Sequence, residues 1–189
     1  MKLKSSKQKS SSETESILIG KLLIMKNLLI LILLFFSTNL FGQNTENEEK
    51  AFDFWVGNWD LEWSGNDNQI MKGTNRIVKI LDGTVLQEHF EDPTSGFKGT
   101  SISVYDKKKN EWHQAWADNQ GGYYNFIGEL DGNKRIFKTI PKEINGKIII
   151  QRMVFYDITE TSITWDWESS MDNGKEWKLL WRINYKKVK

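Results

Sequence analysis

The chain has 189 residues, with 26 Lys and Arg against 25 Asp and Glu, two His, nine Trp and no Cys. Near-neutral charge gives no electrostatic footprint for nucleic acid. Without Cys there is no disulfide framework, no thiolate metal ligand and no lipid attachment through cysteine, so the fold must be held by its core alone.

The first informative element is Leu28 to Phe36, uninterruptedly apolar, preceded by Lys21 and Lys26 and followed by Ser37-Thr38-Asn39-Leu40-Phe41-Gly42-Gln43. A basic start, a short apolar run and a small residue at the cut describe a secretory signal peptide. The expected initiator is Met25, with cleavage after Gly42, which makes residues 1–24 an upstream extension. An uncleaved anchor is the competing reading. Lys21 and Lys26 interrupt Ile17 to Phe36, however, and the clean run is too short to span a bilayer. Removing residues 1–42 takes six Lys and two Glu, leaving 20 basic and 23 acidic residues, net −3. The expected product is exported, periplasmic or secreted, and has no stable membrane insertion.

Residues 43–50 read as a polar linker and 51–189 as one domain. From Phe52 onward, apolar/polar alternations are broken by Asp82-Gly83, Asp131-Gly132, Asn145-Gly146 and Asn173-Gly174, which tolerate the positive φ of tight hairpins. Gly65-Asn66 punctuates another joint, and Pro93 lies in a longer loop, Asp92 to Lys98. Ten strands are predicted: 58–63, 69–81, 84–91, 99–105, 111–118, 122–130, 134–140, 147–157, 162–170 and 175–186. A short turn is expected near Ala51–Trp55, and Lys107-Lys108-Lys109 reads as a solvated hairpin tip. The predicted fold class is all-β, an antiparallel up-and-down β-barrel of about ten strands, because closure removes exposed edges. A two-sheet β-sandwich is the alternative.

Period-2 reading groups Trp59, Leu61 and Trp63; Trp112, Gln114, Trp116 and Asp118; Ile163, Trp165, Trp167 and Ser169; and Trp177, Leu179, Trp181, Ile183 and Tyr185. Glu88 shares a face with Leu86 and Phe90. It reads as a ligand anchor or general base with a raised pKa, or as a structural partner for Arg152 or Arg182. Gln114, Trp116 and Asp118 suit a polar or aromatic ligand at a barrel mouth, while Asp118 also suits capping of the Asn119–Gly122 turn. His89 and His113 alternate away from the aromatic faces, so neither haem nor zinc is expected.

Gly57-x-Trp59, the meander and Arg182 in the final strand together resemble the calycin superfamily of lipocalins and fatty-acid-binding proteins. That resemblance implies structural closure by Gly57 and Trp59, with Arg182 across the Trp59 ring. More closely, Phe52 to Asp60, Asp82-Gly83 with Glu88, Tyr105-Asp106 with Trp112, Gln114, Trp116 and Asp118, and Ser170 to Trp177 resemble an exported bacterial lipocalin-like family of unknown function. Asn58 stands where an acidic residue is expected.

The first functional expectation is a monomeric barrel enclosing a small apolar or aromatic ligand, with no cofactor and no metal. Its binding residues would be Trp63, Glu88, Gln114, Trp116, Arg152, Trp165 and Trp167. A second is an isomerase or hydrolase using Glu88 as acid/base, with Gln114 and Arg152 polarising the substrate. Ser101, Ser103 and Ser169 lack a nucleophile elbow or an aligned His. Glu88 with Asp118 is the candidate carboxylate pair. A third is an envelope interaction module that uses exposed acidic faces.

Overall fold

Tight turns give each strand of the meander its sequence neighbours as partners, and the last strands return to the first. The computed structural model describes residues 48–65 and 69–189, so the signal peptide, its cut after Gly42, the extension 1–24 and Asn66 lie outside the described residues. The strands are β1 (Gly57–Ser64), β2 (Ile70–Ile80), β3 (Val85–Asp92), β4 (Phe97–Asp106), β5 (Glu111–Asp118), β6 (Tyr123–Asp131), β7 (Lys134–Thr139), β8 (Lys142–Ile144), β9 (Lys147–Tyr156), β10 (Ser162–Ser170) and β11 (Lys178–Lys187). Neighbours pair antiparallel in sequence order from β1 to β7; then β7 pairs β9, β9 pairs β10, β10 pairs β11 and β11 pairs β1. The result is a closed ten-stranded lipocalin-like barrel, not a sandwich. The extra strand β8 is a short hairpin arm on β9, closed by Asn145-Gly146 at φ 52° and 74°, and the alternation did not signal it.

Strand direction sorts the interior into three layers. The base holds the 3₁₀ turn Asp53–Trp55. Phe52, fully buried, stacks on Phe137 at 4.3 Å between centroids and meets Trp112 edge-on at 5.2 Å. Trp55 meets Phe155 at 5.1 Å, and the Trp59 indole donates to the Trp55 carbonyl at 2.7 Å. The expected turn is therefore a plug. Its anchor reaches further back than the expected linker boundary. The Trp112 indole donates to the Glu48 carbonyl at 2.8 Å, and Lys107 of the exposed hairpin tip pairs with Glu49.

Closure around Trp59 differs from what the resemblance implies. Lys187, not Arg182, lies over the ring, with Nζ 5.1 Å from its centroid. Gly57, at φ 142°, makes room, because a Cβ there would stand 2.9 Å from Lys187 Cε. Arg182 alternates with the inward Trp181 and Ile183, so it faces outward and forks onto Asp166 with two contacts of 2.7 Å. Parity decides this: one residue from an inward side chain, the next must leave the barrel.

Arg152 is outside as well. Its Nε donates to Glu168 at 2.6 Å and its guanidinium lies 3.7 Å from the Trp177 ring centroid. Trp177 and Leu179 do not continue the inward face of β11, because the β10–β11 register shifts between Trp167 and Glu168. A bulge inverts every later side chain. Leu179 accordingly faces outward opposite Glu168 and is exposed.

Candidate functional site

The site begins with a polar layer half-way along the barrel. Asn75 on β2, Glu88 on β3, Ser101 and Ser103 on β4, and Gln114 on β5 are all buried. Glu88 lies opposite Ser101 and Ser103 opposite Gln114, so the pairing itself delivers the contacts. The Asn75 amide donates to Glu88 Oε1 at 2.7 Å, and the Ser101 hydroxyl donates to Oε2 at 2.6 Å. Gln114 Nε2 donates to Ser103 Oγ at 2.9 Å and Ser101 Oγ at 3.2 Å. The carboxylate dictates these orientations: Asn75 and Ser101 must present hydrogens to it, which leaves the Ser101 oxygen to accept from Gln114. Asn75 Nδ2 also reaches the Tyr185 oxygen, at 3.2 Å.

Neither structural partner expected for Glu88 is inside the barrel. Burial pushes its pKa up to about 7 against the opposing hydrogen bonds from Ser101 and Asn75. Burial, and then the Glu88 charge, push the Tyr185 phenol well above its ordinary value, so it stays protonated.

Above this layer is a cavity of about 170 Å³ walled by rings. Glu88, Met153, Ile183 and Tyr185 line its lower part, and Phe90, Phe97, Trp116, Tyr124, Phe126, Trp165, Trp167 and Trp181 its walls, with Asp118 at the mouth. Trp181 meets Trp165 edge-on at 5.7 Å and Trp63 at 5.3 Å. Offset and edge contacts of this kind hold rings in fixed orientations.

Asp118 has a structural job at the mouth. Its Oδ1 accepts from the backbone N–H of Gly122 at 2.8 Å and of Gln120 at 2.9 Å, and Oδ2 accepts from the Trp116 indole at 3.1 Å. Desolvation pushes its pKa up, but the hydrogen bonds from Gly122, Trp116 and Gln120 outweigh it and hold the carboxyl below its ordinary value.

No family model matches the chain, and a search of curated proteins finds no match.

Of the sequence-predicted binding residues, Glu88, Trp116, Trp165 and Trp167 therefore meet at one cavity. Trp63 backs the wall through Trp181 but does not line it, and Gln114 acts behind Glu88 through the serines. Arg152 is on the outer surface, so it neither contacts a ligand in the barrel nor polarises a substrate there. Both histidines point outward, with His113 Nε2 2.9 Å from Glu111. Sequence reading placed Trp181 and Tyr185 on the inward face of the last strand without assigning them to the site, and it missed Asn75, Phe97 and Tyr124. Asn75 did carry a signal: it alternates with Ile77 on an inward face and is polar in mid-strand.

Gly99 holds the mouth open. A Cβ at Gly99 would collide with the six-membered ring of Trp116, which packs directly against this glycine. Gly99→Ala is expected to swing Trp116 off the wall and to cost about 1–3 kcal/mol of stability. A changed near-ultraviolet circular dichroism band with a lowered urea midpoint is the check; an unchanged band would mean that the ring does not depend on this glycine.

Proposed function

We propose that this is an exported, monomeric lipocalin-like protein that encloses a small aromatic or apolar molecule at the mouth of its barrel. The cavity of about 170 Å³, walled by four Trp rings, carries this reading. Its size favours a ligand of one or two rings over a long acyl chain, since an engineered apolar cavity of about 150 Å³ holds benzene. The Trp walls supply their own reporter. Titration with indole, naphthalene and single-ring aromatics is expected to shift Trp emission saturably, and native mass spectrometry of protein from its own source is expected to retain a small molecule. Emission unchanged by every such compound would sink the reading.

One observation favours a second reading. Two carboxyls line the same cavity with pKa values displaced in opposite directions, Glu88 upward and Asp118 downward, as in acid–base pairs. On that reading Glu88, with its pKa near neutrality, exchanges a proton with bound substrate, in an isomerase or hydrolase. A turnover abolished by Glu88→Gln with ligand binding intact would establish it.

A further inference from the structure

We propose that the cavity selects an organic cation, an aromatic ammonium, over a carboxylate of matching shape. This rests on the cavity-binding reading above. Three features of the site argue for it.

The first is charge. Among the described residues lining the cavity, the ionisable ones are Glu88, Asp118 and the tyrosines; Lys, Arg and His contribute nothing to the wall. The two guanidiniums that might have neutralised an acid inside the barrel, Arg152 and Arg182, are on the outer face, paired to Glu168 and Asp166. A bound carboxylate would meet acidic side chains without a counter-charge, which is strongly unfavourable in a partly desolvated site.

The second is the wall. Trp116, Trp165, Trp167 and Trp181 surround the space above Glu88. Indole faces attract ammonium groups, and clustered aromatic rings are a known means of recognising alkylated ammonium ligands.

The third is the set of partners that Glu88 has. Glu88 itself receives hydrogens only from neutral groups, Asn75 and Ser101. Among the described residues no cation pairs with this carboxylate, and an ammonium in the cavity would supply one.

The groups facing Glu88 are neutral across the ordinary pH range: Asn75 from β2, Ser101 from β4 and the protonated Tyr185 from β11. Asp118 from β5, at the mouth, stays ionised. Cation binding therefore draws on the ionised form of Glu88 and strengthens as pH rises.

Three shape-matched probes test this by isothermal calorimetry on the folded protein: phenethylammonium, neutral propylbenzene and 3-phenylpropionate. The expected order is the ammonium at least about tenfold tighter than the hydrocarbon, an ion pair in a partly desolvated site being worth that much or more, with the carboxylate weakest. Phenethylammonium affinity is expected to fall by up to about a hundredfold from pH 8 to pH 5 as Glu88 protonates, while propylbenzene binding stays level. Glu88→Gln should abolish both the cation preference and its pH dependence. If that variant does not fold, the pH profiles of the unaltered protein decide alone. Equal binding of ammonium and hydrocarbon, or tighter binding of the carboxylate, overturns the cation inference and leaves the cavity reading standing. Binding of none of the three overturns both.

Discussion

Replacing Glu88 by Gln is expected to flatten the pH dependence of stability and to strengthen the fold above neutrality. In the native barrel, burial pushes the Glu88 carboxyl from 4.5 up to about 7. Between those values the unfolded chain has released the proton and the folded chain still holds it. The folded state then binds more protons, and stability falls as pH rises. This group's unfavourable contribution is absent below about pH 4.5, grows through the window to about 7, and is complete above it. A displacement of that size corresponds to about 3 kcal/mol. Gln keeps the shape, accepts from Asn75 through its oxygen, and can donate to Ser101, so the network survives without the charge. Urea unfolding at pH 5 and pH 8 is the measurement. The unaltered protein should lose about 2–3 kcal/mol across that interval from this site, and Glu88→Gln should not. A variant as pH-sensitive as its parent would show that Glu88 does not titrate in the folded barrel.

Phe52→Ala is expected to be the most damaging single change. Phe52 is fully buried, stacked on Phe137 and edge-on to Trp112 and Phe155, at the centre of the plug that fills the barrel base. Truncating a buried Phe removes its transfer free energy and leaves a cavity that closed strands cannot collapse around, about 3–5 kcal/mol in all. For a domain whose total stability is of order 5–15 kcal/mol, this lowers the melting temperature by about 10 °C. Phe54, only partly buried and 5.7 Å from Phe155, should cost far less when changed to Ala. Equal losses at the two positions would mean that the base is not anchored through Phe52. The cavity lies at the other end, so ligand binding by the Phe52 variant should persist at temperatures where it remains folded.

Nearly every barrel strand could be read from the sequence, because hairpin dipeptides and period-2 alternation are local signals and closure follows from connecting neighbours by tight turns. Glu88 was legible because a polar group among inward apolar residues violates the local pattern, and Trp116 because it falls on the inward face of its alternation. The serines show where that logic fails. In Ser101-Ile102-Ser103-Val104, hydrophobicity argues for Ile102 and Val104 inside, yet the serines are buried and both aliphatics are substantially exposed. The pairing of Ser101 with Glu88 and of Ser103 with Gln114 accounts for this, since hydroxyls there meet groups that would otherwise lack partners.

Arg182, Arg152 and the Trp177–Leu179 segment mark the other boundary. Alternation within β11 already placed Arg182 opposite Trp181, and the resemblance that laid it over Trp59 gave way to that parity, with Lys187 at the strand end taking the ring. Arg152 sits beside Met153, but nothing local to β9 says which of the two faces inward. The shift after Trp167 has no local signal either.

The amino-acid sequence alone determined the all-β class, the strand count to within one short arm, and the aromatic character of the interior, because each is written in spacings of a few residues. Tertiary structure alone decided which charges share the interior. A side chain's face depends on register accumulated around the whole barrel, and one bulge inverts it. That is why the two arginines expected to neutralise or assist Glu88 lie outside, and Glu88 remains a carboxyl held by neutral partners beneath a wall of tryptophans.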